Sequence, residues 1–229
     1  EGLKMAEKIQ TLEDLERAVE RIGFLPYSGN RRELLFTLEE RTDNAWHDDS
    51  PSDPWLWRSQ VAAGGRLAYG KFFLKRSGFV APRCLPAFVA LRRENRTFSD
   101  LYARGLVSRG AKRVYDCFAD RAEWTLPALK SEAGFAGASR EFEAALTELQ
   151  GLFFLCISGQ TRRVGRTGEP YGWPNNDFCR LEARFPEALA APMRTVEAEE
   201  YLLDCVQRAG DFPLRAVRRL LCGGGISSA

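Results

Sequence analysis

The chain has 229 residues, with 33 Lys+Arg against 31 Asp+Glu, a formal charge of +2, 45% hydrophobic and 28% charged residues. That length and balance suffice for a sizeable core in one large domain or two small ones. They exclude a polycation, so affinity for nucleic acid has to come from local patches. No apolar run approaches the roughly 20 residues of a membrane span, and the opening Glu1-Gly2-Leu3-Lys4 does not read as a signal peptide. The expected setting is cytoplasmic, with no membrane partner.

Thr11-Leu12-Glu13-Asp14 predicts a capped helix running to about Ile22 and closing at Gly23, with Leu12, Leu15, Val19 and Ile22 at helical spacing. Phe24 to Asn30 reads as a loop, and Thr37-Leu38-Glu39-Glu40 as a second capping box. Residues 43–54 form an acidic, proline-bearing connector ending in Asp53-Pro54, an N-cap and first-position proline for a helix that starts Trp55-Leu56-Trp57-Arg58. Arg66 to Leu74 and Phe79-Val80, broken at Ser77-Gly78, read as a hairpin, followed by a helix near 83–93. The charged junction Thr97-Phe98-Ser99-Asp100 marks the expected domain boundary.

Beyond it, helices are predicted near 99–104 and 108–121, the second opened by Ser108, then a short helix from Thr125 ended by Gly134. Ser139 to Gln150 is an amphipathic helix with Ser139 as its cap and Phe142, Ala145, Leu146 and Leu149 on one face. Leu152 to Ile157 is a buried strand, Gln160 to Gly168 a basic turn, and an aromatic strand reaches Trp173. Helix, short helix, longer helix and two-stranded wing is the order of a winged helix. Thr195 to Arg208 and Leu214 to Cys222 add two helices. The expected fold class is α+β, mainly α: tandem winged-helix units with short antiparallel β-hairpins. Residues 1–96 form a winged-helix-like domain with an aromatic hairpin, 97–185 a winged-helix domain with a basic wing, and 186–229 a C-terminal helical extension.

Arginine is the side chain best suited to phosphate, so Arg162, Arg163 and Arg166 of the wing, with Arg218 and Arg219 of the last helix, are the candidate DNA-binding residues. The helix Ser139 to Gln150 is the natural recognition helix, but Glu141, Glu143 and Glu148 outnumber Arg140 and would be repelled by phosphate, leaving contact to the wing. Trp46, Trp55, Trp57, Tyr69 and Lys71 are pocket candidates for a flat ligand; the competing use of such aromatics is core packing. Lys71 would then need Glu39, Glu40 or Asp53 as partner. His47, Asp48, Asp49 and Asp53 read as a solvated acidic loop, and the six cysteines, without CxxC spacing, as small core residues. No metal and no cofactor is expected. With His47 the only histidine, and no Gly-x-Ser-x-Gly elbow, P-loop or GxGxxG run, nucleophilic and nucleotide-hydrolysing chemistries lack their parts.

The runs Asp53-Pro54-Trp55-Leu56-Trp57-Arg58, Tyr69-Gly70-Lys71-Phe72-Phe73, Gly78-Phe79 and Glu169-Pro170-Tyr171-Gly172-Trp173 resemble bacterial proteins related to the AlkZ (YcaQ-type) winged-helix DNA glycosylases, over nearly the whole chain. Those glycosylases excise alkylated or crosslinked bases with a Gln-x-Gln or Gln-x-Asp motif in an early loop. The nearest segment here, Gly23-Phe24-Leu25-Pro26-Tyr27-Ser28, places Pro26 and Ser28 at the motif positions, so the groups that would position water and stabilise an oxocarbenium-like sugar are missing. The resemblance implies a noncatalytic module that binds double-stranded DNA or another partner. Two alternatives stand beside it: a base-excision enzyme with a relocated carboxylate, for which Glu39, Glu40 and Asp53 are the candidates, and a small-molecule sensor with its ligand among Trp55, Trp57, Tyr69 and Lys71.

Overall fold

Helix α1 (Leu12–Ile22) starts where the Thr11 side chain accepts from the Asp14 amide and Asp14 accepts from the Thr11 amide, and it closes at Gly23, at φ 110°. A computed structural model describes residues 8–165, 167–223 and 225–226 of the chain. Directly after Gly23 the predicted loop is instead a strand, β1 (Phe24–Pro26), buried throughout. It lies at the edge of the sheet, where a proline without an N–H is tolerated. Short helices α2 (Arg31–Leu34) and α3 (Leu38–Arg41) follow, the second opened by the reciprocal Thr37 and Glu40 cap. Helix α4 (Pro54–Gly64) begins at Asp53 and Pro54 as the sequence predicts.

Strands β2 (Ala68–Phe73) and β3 (Arg76–Val80) form the aromatic hairpin. Its turn is Leu74-Lys75, at φ 48° and 68°, the left-handed pair that a two-residue hairpin loop requires. Ser77-Gly78 is therefore not the break the sequence suggests. Gly78 sits inside β3, between Pro26 of β1 and Gly70 of β2, and a Cβ there would stand 2.5 Å from the Phe73 ring. A 3-10 turn, Pro82–Cys84, leads into α5 (Leu85–Arg93).

The second half opens with α6 (Phe98–Ala103), held by a third reciprocal cap between Thr97 and Asp100, and α7 (Arg109–Asp116), capped by Ser108. Helix α7 stops at Asp116 rather than 121, and the released chain makes β4 (Glu123–Thr125), a strand without a sequence signal. Next come α8 (Leu126–Glu132) and α9 (Ser139–Gly151). Ser139 is the first helical residue and not the cap; its Oγ accepts from Lys130 Nζ at 2.6 Å. Strand β5 (Leu155–Val164) begins later than expected because Phe153 turns the chain at φ 59°. Its ring is stacked between Phe72 at 4.5 Å and Phe88 at 5.0 Å, aromatic burial that offsets the cost of a left-handed bulky residue. Strand β6 (Pro170–Arg180), α10 (Leu181–Arg184), α11 (Thr195–Gln207) and α12 (Leu214–Cys222) complete the order.

The described strands form one antiparallel sheet in the order β1-β3-β2-β5-β6-β4. Each half lays its first strand beside its third, and the halves join where Tyr69 of β2 faces Ile157 of β5. Helix α4 packs on β5 and α9 packs on β2, so each crosses onto the other half's strand. Gln150 fastens the second crossing: its Oε1 accepts from the Lys71 amide at 2.9 Å and its Nε2 donates to the Leu146 carbonyl at 3.0 Å. Helix α11 packs along α5, and α12 covers α2 and α5. The fully buried Arg92 ties these layers by donating to the carbonyls of Phe72 and Leu220. Among the described residues, no helix is long and apolar enough to cross a membrane.

Gly78→Ala should destabilise the fold by about 1–3 kcal/mol, the usual cost of overpacking a filled core. A thermal melt should show it as a drop of several degrees, and an unchanged midpoint would mean that Phe73 moves aside freely.

Candidate nucleic-acid interface

Strand β2 leaves β5 at Ile157 and β4 leaves β6 at Asp177, so beyond those rungs β5 and β6 are paired only with each other. Gln160 faces Asn176, Thr161 faces Asn175, Arg163 faces Tyr171 and Val164 faces Pro170. The predicted turn at 160–168 is thus strand as far as Val164. Between the Thr161 and Arg163 rungs the register shifts, and Arg162 alone stands against Gly172, Trp173 and Pro174. Gly172 supplies φ 72°, and Pro174, which has no N–H to pair, suits a bulge. A bulge re-aims side chains, and Trp173 is left 78% exposed, with Tyr171 at 53%. A large aromatic that open to water calls for a partner-based explanation.

Across from this bulge lies the connector before α4. Gln160, Arg162, Trp173 and Pro174 of the ribbon close with His47, Asp49, Trp55, Leu56 and Ser59 on a cleft of about 100 Å³. The connector is shaped by Asp53, a buried carboxylate whose Oδ1 accepts from the Trp55 amide at 2.8 Å and whose Oδ2 accepts from the Asp49 amide at 3.3 Å. The His47 ring sits 4.4 Å from that of Trp55, and the Arg58 guanidinium lies over the Trp55 ring at 3.2 Å. The cleft therefore offers aromatic faces flanked by cationic groups, and Arg162, which forms no ion pair among the described residues, is exposed beside it. Such a surface can stack a planar group while holding a phosphate.

The sequence profile of the AlkZ-related family matches residues 9–212. The chain belongs to that family. Among solved structures it is similar to the Streptomyces sahachiroi DNA glycosylase AlkZ, at 12% identity and a TM-score of 0.51, over 95% of this chain and 60% of that one. This likeness is one of fold, and the chain spans only 60% of that enzyme's length. No curated protein matches it.

In this AlkZ-related chain, the segment that stands nearest the glycosylase motif is a paired strand. Phe24, Leu25 and Pro26 face Val80, Phe79 and Gly78, and Tyr27 is buried with its hydroxyl donating to the Pro54 carbonyl at 3.2 Å. The carboxylate candidates are engaged in local structure: Asp53 as above, Glu40 in the Thr37 cap and an ion pair with Arg31, and Glu39 accepting from the Gly29 amide at 3.2 Å. The pocket candidates disperse. Trp57 and Tyr69 are core residues, because both lie on inward faces; Trp57 donates from Nε1 to the Pro51 carbonyl and Tyr69 stacks on Phe79 at 5.1 Å. Trp46 packs edge-on to Tyr27 at 5.2 Å, and Trp55 alone of the group lines the cleft.

Lys71 points its Nζ to Glu143 of α9 at 3.2 Å, not to Glu39, Glu40 or Asp53, since β2 turns that face toward α9. Arg218 pairs with Glu199 at 2.7 Å and Arg219 lies 3.7 Å from Glu33; α12 packs on α2, α5 and α11, none of which lines the cleft. Arg163 is placed by its backbone pairing with Tyr171, and Arg166 lies outside the described residues. Sequence reasoning read His47 as part of a solvated acidic loop and Trp173 as a strand residue, and made neither a pocket candidate; glycine and proline flanking Trp173 were the available signal of a bulge.

A second feature sits at the base of the ribbon. Asp177 accepts from Thr161 Oγ1 at 2.6 Å, while its Oδ1 is buried without a hydrogen-bond partner among the described residues. Burial raises its pKa, opposed by the Thr161 bond. A carboxyl whose folded pKa lies above its unfolded value contributes stability below the unfolded pKa that is lost as pH rises through the folded one. Asp177→Asn, neutral at every pH, should therefore raise the melting temperature at pH 7 and change it little near pH 3. Equal shifts at both values would assign the effect to packing.

Proposed function

We propose that the chain is a noncatalytic DNA-binding module built from two winged-helix units, residues 1–96 and 97–185, with 186–229 as a helical extension against the first. Double-stranded DNA is the expected ligand, and the β5–β6 ribbon the element that meets it. The observation that carries this reading is the bulge that exposes Trp173 beside Arg162 at the mouth of the aromatic cleft.

Three further facts support it. In both halves a helix and a three-residue strand are followed by further helices, three after β1 and two after β4, and then by two strands, with the first strand beside the third, an order that supports the winged-helix reading. Helix α9, the counterpart of a major-groove reader, packs one face on β2 and β5 and turns Glu141 and Glu143 to solvent, where phosphate would be repelled, while Glu148 accepts from the Ser108 amide at 2.8 Å. That leaves contact to the wing, where Arg162, Arg163 and Arg166 supply charge and Trp173 an intercalating or stacking face. The motif segment, as a strand with Pro26 and Ser28 at the critical positions, holds no amide or carboxylate for base excision.

Fluorescence anisotropy with a labelled duplex tests this directly. Arg162→Ala should flatten the plot of log affinity against log salt by about one unit, and Trp173→Ala should weaken binding by about 1–3 kcal/mol, roughly 5- to 160-fold. Salt-insensitive binding, or no binding, would defeat the proposal. Incubation with alkylated duplex at protein excess should release no base; release would instead support an excision enzyme.

A further inference from the structure

Cys84, at the end of the 3-10 turn, and Cys205, on α11, are both fully buried, and their sulfurs lie 3.9 Å apart. They are distant in sequence and brought together by the packing of α11 along α5. Two polar groups meet them. Arg83 donates from Nη1 toward Cys205 Sγ at 3.9 Å and to the Tyr201 hydroxyl, while its Nη2 is fixed on the Glu20 carbonyl at 2.7 Å, at the end of α1. The Cys84 thiol is also 3.9 Å from the Tyr201 hydroxyl. Arg83 and Tyr201 are half-buried, so they form the layer between the sulfurs and water. Below the pair the chain is Gly23, where a Cβ would meet Cys84 Sγ at 2.7 Å and Cys205 Sγ at 3.0 Å.

We propose that Cys84 and Cys205 form a reversible oxidation site, at which a hydroperoxide converts the two thiols to a disulfide that fastens α11 to the start of α5. The arrangement assigns the roles. The hydrogen bond from the Cys84 thiol, opposed by burial and reinforced by the Arg83 contact, lowers the pKa of Cys205 and so favours its thiolate, the form that reacts. That sulfur attacks the peroxide O–O bond, gaining a hydroxyl and releasing the other oxygen as water or alcohol once protonated. The Cys84 sulfur then attacks the sulfenic sulfur, its proton leaves with the hydroxyl as water, and the S–S bond forms. Two thiols and one hydroperoxide give one disulfide, one water and one alcohol, or two waters with hydrogen peroxide.

A second thiol pair provides the internal comparison. Cys156 and Cys179 face each other across β5 and β6 with sulfurs 3.5 Å apart, but among the described residues no guanidinium hydrogen-bonds to either. Arg184 acts on that pair only through its charge and also lowers the pKa of Cys179, so proximity would favour Cys156 and Cys179; the direct guanidinium hydrogen bond to the reacting sulfur favours Cys84 and Cys205.

The intact wild-type protein, treated with hydrogen peroxide at neutral pH, quenched with N-ethylmaleimide and mapped by peptide mass spectrometry, should show the Cys84–Cys205 disulfide as the first cross-link, reversed by dithiothreitol. Arg83→Gln should slow its formation about twofold at pH 7 and about tenfold near pH 5, the effect on thiolate fraction of a one-unit rise from a pKa of about 6, and Cys84→Ser should leave a dimedone-reactive sulfenic acid at Cys205. Cross-linking at Cys156 and Cys179 first, modification of Cys117 or Cys222 with the pair still reduced, or no oxidation would each overturn the assignment.

Discussion

The pairing of β2 with β5, with Tyr69 opposite Ile157, is the constraint from which the rest of the architecture follows. Each half makes three antiparallel strands that end in an unpaired edge, and here two such edges meet, turning two small sheets into one. Once the strands are joined, the apolar faces of α4 and α9 find their cover on the opposite half, and the aromatic cluster of Phe24, Phe72, Phe73, Phe88 and Phe153 fills the space between. The same junction covers the apolar faces of α4 and α9 and leaves the acidic side of α9, with Glu141 and Glu143, to solvent. What protrudes is the far part of the β5–β6 ribbon, too long to be covered by β2 or β4.

Local chemistry was legible in the sequence, and non-local chemistry was not. The reciprocal caps at Thr11 and Thr37, the Asp53-Pro54 start of α4 and the span of α12 need only neighbours within a turn, and they stand where the sequence places them; the cap at Thr97, read there as a charged junction, is of the same local kind. Strands β1 and β4, each of three residues, exist because β3 and β6 are beside them; neither has the length or alternation that identifies a strand by itself. The hairpin turn was misplaced for a related reason. Leu74 and Lys75 lack the usual turn chemistry, whereas Gly78 has it and is small only because the Phe73 ring lies over it.

For the candidate site, the basic ribbon was readable and its exposed tryptophan was not. Arg162 and Arg163 announce themselves by charge, but the exposure of Trp173 depends on a register shift that sequence periodicity cannot carry. The pocket candidates Trp46, Trp55, Trp57, Tyr69 and Lys71 show the converse. Four aromatics and a lysine close in sequence take separate places, since a helix start, a helix interior and a strand turn their side chains in different directions. The acidity of α9, which reads as repulsion of phosphate, has a structural use as well: Glu143 and Glu148 hold Lys71 and the start of α7.

The two outer rails of the sheet are β1 and β4, each only three residues long, and β1 carries Pro26. Where β6 runs on past β4, its open side is interrupted by the bulge and by Pro174, which has no hydrogen to donate. A foreign strand approaching the β6 side would find at most a few consecutive ladder bonds before a missing donor or a kink. On that side the long ribbon thus extends past β4 without becoming a template for edge-to-edge aggregation.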